Sequence, residues 1–219
     1  MEFLKKLKFW SSEQKNYDKY GDVLKRILST KEQREEAVNA LVGLKPEYSV
    51  PQLLKRFELV VDSGLQDEKE KKYCFDLIVK HGEEAKESVK LYLSSKPRIS
   101  WTIKMAEKLF SHEEFLELLM SNLNTDMTEF DEQSVERNIE ILLALKDMHH
   151  ESIAEKVKPF LNTKNDEIRL AALECFETQA EHYLPVRQTL LELVNQPVTD
   201  DNSRFMGVIS SIIEKHKWR

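Results

Sequence analysis

The sequence predicts an all-α chain whose helices come in antiparallel pairs stacked side by side. Three observations carry that expectation. Apolar residues recur at i, i+3, i+4 and i+7 through most of the 219 residues, and no stretch sustains the alternation of a strand. Glycine is scarce, with five in all and none clustered, which leaves little material for tight β-hairpins or phosphate-cradling loops. Helix pairs start about 31–36 residues apart, a period that signals a helical repeat array. Repeats of this kind cannot bury their apolar faces alone, so each stacks on its neighbours.

The elements follow in order. A leading helix is predicted over roughly 14–28. The first pair covers 31–44 and 50–62. Its first member opens on Thr30 and Gln33, spaced as a capping box, and carries Ala37, Val38, Ala40, Leu41 and Leu44. Its second member opens on Ser49 and Gln52, with Pro51 in the first turn, where a missing N–H costs nothing, and Gly64 as its stop. The next pair, 67–81 with 83–94, carries Tyr73, Cys74, Leu77 and Ile78 and turns at Gly82. Lys96-Pro97 marks the turn into 99–109, and Ser111 and Glu114 cap its partner over 112–123. The pair 131–146 with 150–161 is carried by Val135, Ile139, Leu142, Leu143 and Leu145, and Pro159 predicts a kink or an early end. The last pair is 165–181 with 184–195, opened on its second helix by Pro185. Gln196-Pro197 then turns the chain into a final helix over 201–215.

The segment NDEIRLAALECFETQAEHYLPVRQTLLELV, from Asn165, resembles a HEAT repeat. Asp166 precedes an Ile168-Arg169 pair, Ala171 and Ala172 stand where helices must approach closely, and Pro185 opens the second helix. The stretch PEYSVPQLLKRFELVVD, from Pro46, resembles part of the uncharacterised bacterial HEAT-repeat proteins, whereas 98–130 departs most from the pattern. The resemblance implies a right-handed α-solenoid of about five HEAT-like hairpins with capping helices at its ends. It implies a single domain over 13–219 behind a basic amphipathic segment, 1–12. It also implies a concave face lined by second helices, which nominates Lys55 and Arg56 as contacts to a partner.

Charge and chemistry narrow the function classes. The net charge of −6 disfavours nucleic acid, since phosphate binding needs a basic surface. Both ends are basic, each with a tryptophan (Trp10, Trp218), so the body between them is more acidic than the whole. Cys74 and Cys175 stand alone in apolar helical surroundings, as free buried thiols of a reducing cytoplasm do. The sequence has neither a run of roughly 20 apolar residues nor the apolar core and cleavage site of a secretory signal, so a cytoplasmic protein is expected. No catalytic residue, cofactor or metal site is expected: there is no G-x-S-x-G elbow, no H-E-x-x-H and no cysteine beside a base. His149 and His150 point about 100° apart on a helix, and pairing at long range with His112 or His182 stays open. The acidic connection NTDMTEFDEQ, with Asp126, Glu129 and Asp131, lacks calcium-loop spacing and its central glycine, and reads as a solvated loop with Met127 and Phe130 tucked down.

Two stretches are candidate binding elements. SSKPRISWTIK places Arg98, Trp101 and Lys104 three apart, so one helical face presents them together, although Trp101 as a filler between irregular repeats fits as well. MEFLKKLKFW gathers Phe3, Leu4, Leu7 and Trp10 into a stripe flanked by lysines. A stripe that short orders only when something covers it: the raw end of the solenoid, a partner's groove, or an anionic membrane surface. The expected function is therefore a non-enzymatic scaffold or adaptor that holds a protein or peptide on its concave face. The alternatives are an enzyme on a HEAT-like scaffold, as some DNA glycosylases and bilin lyases resemble, and an adaptor recruited to a membrane by residues 1–10.

Overall fold

The structure is a computed structural model that describes residues 17–126, 131–199 and 202–218. The docking stripe Phe3, Leu4, Leu7 and Trp10, and Met127, Glu129 and Phe130, lie outside the described residues. Among the described residues every regular element is helical, and no helix is long and apolar enough to cross a membrane. The chain divides between His112 and Glu113 into two compact units.

In the first unit, helix α1 (17–25) buries Leu24 completely. Helix α2 (Lys31–Val42) starts as its capping box dictates: the Thr30 hydroxyl accepts from the Gln33 amide at 3.3 Å, and the Gln33 side chain accepts from the Thr30 amide at 2.9 Å. It buries Ala37, Val38 and Leu41. Helix α3 (Pro46–Leu54) starts four residues earlier than its sequence signals suggested. Pro46, not Pro51, takes the first turn, so Pro51 sits inside the helix, and the chain then tightens into a 3-10 turn over Lys55–Glu58. Ser49 consequently does not cap; it is fully buried, its hydroxyl without a hydrogen-bond partner among the described residues. Gly64 opens α4 (Gly64–Lys80) where a stop was expected, because the preceding helical stretch has already ended at Glu58. Gly82 does terminate a helix: at φ +57° it occupies the left-handed region that only glycine enters freely, and Gly82–Ala85 and α5 (Lys86–Ser95) follow. Helix α6 (Ser100–Leu109) completes the unit. Helix α3 packs on α2, α4 and α5, and α6 packs on α4 and α5, around Val50, Leu53, Ile78, Leu93, Ile99 and Met105.

Gly21 is needed for close approach. A Cβ there would lie 2.1 Å from Gln52 Oε1 and 2.8 Å from Lys55 Cδ, and Gln52 is buried, with its amide donating to Asp18 at 2.9 Å. Gly21→Ala is therefore expected to destabilise by about 1–2 kcal/mol, the gain in helix propensity (~1 kcal/mol) being outweighed by overpacking. Urea titration by circular dichroism checks the sign; a more stable variant would refute the packing account.

The second unit holds all but the first residue of α7 (His112–Ser121), with α8 (Glu132–Lys146), α9 (Glu151–Val157), α10 (Asp166–His182), α11 (Leu184–Leu193) and α12 (Ser203–His216). Pro159 ends α9 early, and a 3-10 turn runs over Lys158–Asn162. Caps mark three starts: Asp131 accepts from the Ser134 amide, His150 Nδ1 from Ser152, and the Asn165 side chain from Ile168. Asp131, weighed as part of a calcium-like loop, is thus a helix cap. Helix α10 is the hub and packs on α8, α9, α11 and α12. Two buried amides tie connections to this core. Asn138 clasps the backbone of Asn124 through both its amide atoms, and Gln179 donates to the Met148 carbonyl at 2.7 Å.

Candidate functional site

The first unit carries a cleft of about 400 Å³ between α2 and α4, with Leu24 of α1 and Arg56 of the 3-10 turn in its lining. Its apolar lining is Leu24, Val38, Tyr73 and Cys74, and its charged lining includes Lys31, Arg34, Lys69 and Glu70. Beneath it lies a closed ion network. Arg56 has no exposed surface, and its guanidinium donates to Glu70 (2.9 Å), Asp67 (2.7 Å) and the Leu59 carbonyl (3.1 Å). Arg34 grips Glu70 with two parallel bonds of 2.7 and 2.9 Å, and donates to the Ser29 carbonyl at 2.5 Å. Lys71 donates to the second oxygen of Asp67 at 2.7 Å, and Gln66 donates to Glu70 at 2.9 Å.

Helix periodicity explains how α4 supplies this network. Asp67, Lys71, Cys74 and Ile78 follow the i, i+4, i+7, i+11 track of one face, and all four are buried. Burial alone would raise the Asp67 and Glu70 carboxyls. The hydrogen bonds from Lys71 and Arg56 on Asp67, and from Arg34 and Gln66 on Glu70, together with the nearby positive charges, outweigh it and leave both below the usual carboxylate range. Both are therefore anions at neutral pH, and three cations (Arg34, Arg56, Lys71) face two carboxylates. Burial pushes the Cys74 thiol up to about 12, against the opposing pull of Arg56, so it stays protonated and serves the cleft as an apolar wall.

The mouth of the cleft is drawn from one stripe of α4. Lys69 and Tyr73 line it and are exposed, and exposed Leu65 continues the stripe by one turn. Lys31 is engaged with Glu35 at 3.3 Å, whereas Lys69 has no ion-pair partner among the described residues. The site thus combines an apolar floor, a rigid excess of positive charge below it and one uncommitted cation at the rim.

Of the sequence-nominated contacts only Arg56 lines this cleft. Arg56, expected on a partner-facing surface, is committed to the network; a cation in a 3-10 turn is drawn inward when α4 offers two buried carboxylates. Lys55 is partly exposed, 3.6 Å from Asp22 and 3.9 Å from Asp18. Trp101 and Lys104 do come together on α6, with the ammonium 5.0 Å from the ring centre. Trp101 is half-buried against Phe57 and Phe75 at 5.7 and 5.9 Å, and Arg98 is exposed just ahead of the helix start. Trp101 thus fills a gap between elements while Lys104 rests on it. In the second unit, His149 and His182 meet edge to face, their ring centres 4.3 Å apart. Cys175 is buried, its thiol pushed up to about 12 by that burial. An acidic hollow of about 600 Å³ there is lined by Glu132, Glu136, Glu140, Asp166 and Glu167 with Val135 and Ile139.

Comparison with known proteins finds no matching family model, no similar curated protein and no similar solved structure.

Proposed function

We propose that this chain is a non-enzymatic interaction protein, and that the cleft between α2 and α4 holds an extended or helical segment of a protein partner. The observation that carries the reading is the pairing of an apolar floor with uncommitted Lys69 above a buried network that has one more cation than anions. A segment with an aliphatic side chain for Leu24, Val38 and Tyr73, followed by a carboxylate for Lys69, satisfies both halves. Because Arg34 and Arg56 are already held by Glu70, Asp67 and backbone carbonyls, binding need not order them. Within the second unit, this reading takes the helices as a right-handed run of HEAT-like hairpins. Its support is the chain-order pairing α10 with α11, with α10 also on α8 and α12, and the HEAT-like residues Asp166, Ala171, Ala172 and Pro185 on those helices.

The test is peptide display panned on the full chain. Enrichment of sequences that place Asp or Glu beside Leu, Ile or Val is expected, with enrichment lost on Lys69→Glu and kept on Lys104→Glu. Enrichment of basic sequences, or indifference to Lys69→Glu, would overturn the assignment of this cleft.

A further inference from the structure

The last helix of the second unit returns one ammonium, Lys215, and one imidazole, His216, to the acidic face of α10. His216 Nε2 lies 2.7 Å from Glu177 Oε1 and 3.6 Å from Glu181 Oε1. Glu177 and Glu181 are one helical turn apart, so their carboxylates rise from the same face of α10 toward α12. The three donor atoms all lie within 4.8 Å of one another. The imidazole is held in place by stacking on Trp218 at 4.5 Å and 16°, and Arg187 packs on that indole's ring at 5.1 Å. We propose that Glu177, Glu181 and His216 form a binding site for one divalent transition metal ion of the zinc class.

The chemistry selects the ion. One imidazole and two carboxylates suit zinc or its first-row neighbours, whereas magnesium and calcium take oxygen donors. With each donor roughly 2.0–2.2 Å from a tetrahedral ion, the donors stand about 3.3–3.6 Å apart, so side-chain adjustments of about an ångström close the site. Glu177 is the fixed point: it is mostly buried, and accepts from His216 at 2.7 Å and from Lys215 at 2.8 Å. Lys215 is two-thirds exposed and free to swing into solvent, so the incoming ion displaces an ammonium and the imidazole proton from a carboxylate oxygen already presented to them. Glu181 is more exposed and closes the third side, leaving a fourth position for water. Metal binding would clamp α12 onto α10, joining the C-terminal helix to the hub of its unit.

Isothermal titration of the full chain with zinc chloride in a non-chelating buffer tests this. One ion per chain is expected, with at least a tenfold loss of affinity in His216→Ala and in Glu177→Gln, and no change in His149→Ala, which removes the other histidine pair. Lys215→Ala is expected to tighten binding, because it removes the competitor for Glu177. Cobalt(II) in place of zinc reports directly on the donors through visible d–d absorption, which His216→Ala should abolish. Should His216→Ala fail the circular dichroism check for folding, Glu181→Gln, on the exposed side of the cluster, takes its place. Absence of saturable one-to-one binding, or binding that survives these variants or is lost in His149→Ala, would show that the cluster is an ion pair only and overturn the proposal.

Discussion

Glu70→Ala is expected to lower the unfolding free energy by about 3–5 kcal/mol, because it leaves Arg56 buried with a partner removed. Arg56 has no exposed surface, and Glu70 supplies a bond to it as well as two to Arg34. Attraction inside such a network roughly offsets the cost of taking charges out of water, so deleting the whole set is mild while deleting one member is severe. Lys72→Ala, which removes a solvent-exposed i, i+4 pair with Asp76, is expected to change stability by less than ~0.5 kcal/mol. Urea titrations of the full chain compare the two. A Glu70→Ala loss below about 1 kcal/mol would mean that water reaches the guanidinium, and the closed-network account would fall.

The same groups fix the acid limit. Asp67 and Glu70 have folded-state pKa values below their ordinary ones. A depressed carboxylate contributes stability that is fully present above its unfolded value and is lost as pH falls through its folded value. Their contribution is therefore constant from neutrality down to about pH 5, and is lost progressively below about pH 4. Glu70→Ala should flatten that acid limb as well as lower the plateau, which a series of urea midpoints from pH 7 to pH 3 resolves.

What could be seen in the sequence depended on whether a signal is local. Thr30 and Gln33 satisfy each other's backbone within one turn, so their capping box reads correctly from four residues. Ser49 and Gln52 show the same spacing, yet Pro46 claims the helix start, and nothing local decides between two prolines five residues apart. Arg56 looks like a solvated cation in LLKRFE, because its anions lie 11 and 14 residues later. A usable signal was there: Asp67 and Lys71 share a helical track with Cys74 and Ile78, and a charged pair on an apolar face is a buried pair that needs further partners. The zinc-class cluster has no such trace, since Glu177 and His216 are 39 residues apart and meet only because α12 packs on α10. Trp101 was readable both ways, and only the rings of Phe57 and Phe75 decide that it packs inward.

Phe176→Ala is expected to cost about 3–5 kcal/mol, the largest effect of a single truncation in the second unit. Phe176 is 1% exposed, and it sits on the hub helix beside Ala172, Leu173, Cys175 and Ala180, all fully buried. Two terms oppose each other. Alanine is the better helix former by roughly 0.5 kcal/mol, so a helix held mainly by propensity would gain from the change. Truncating the ring removes apolar surface from contact and leaves a void that rigid neighbours fill only in part, a cost several times larger. The small residues around it sharpen the outcome: Ala171, Ala172 and Ala180 let neighbouring helices approach α10 closely and have no side-chain length with which to reach into the gap. Phe176→Leu keeps most of the volume and is expected to lose no more than about 1.5 kcal/mol. Urea unfolding of both variants, with far-ultraviolet circular dichroism to confirm helix content, measures the ratio. Equal losses, or a Phe176→Ala loss near zero, would mean that α10 is not held by burial against the helices around it, and the hub assignment would have to be abandoned.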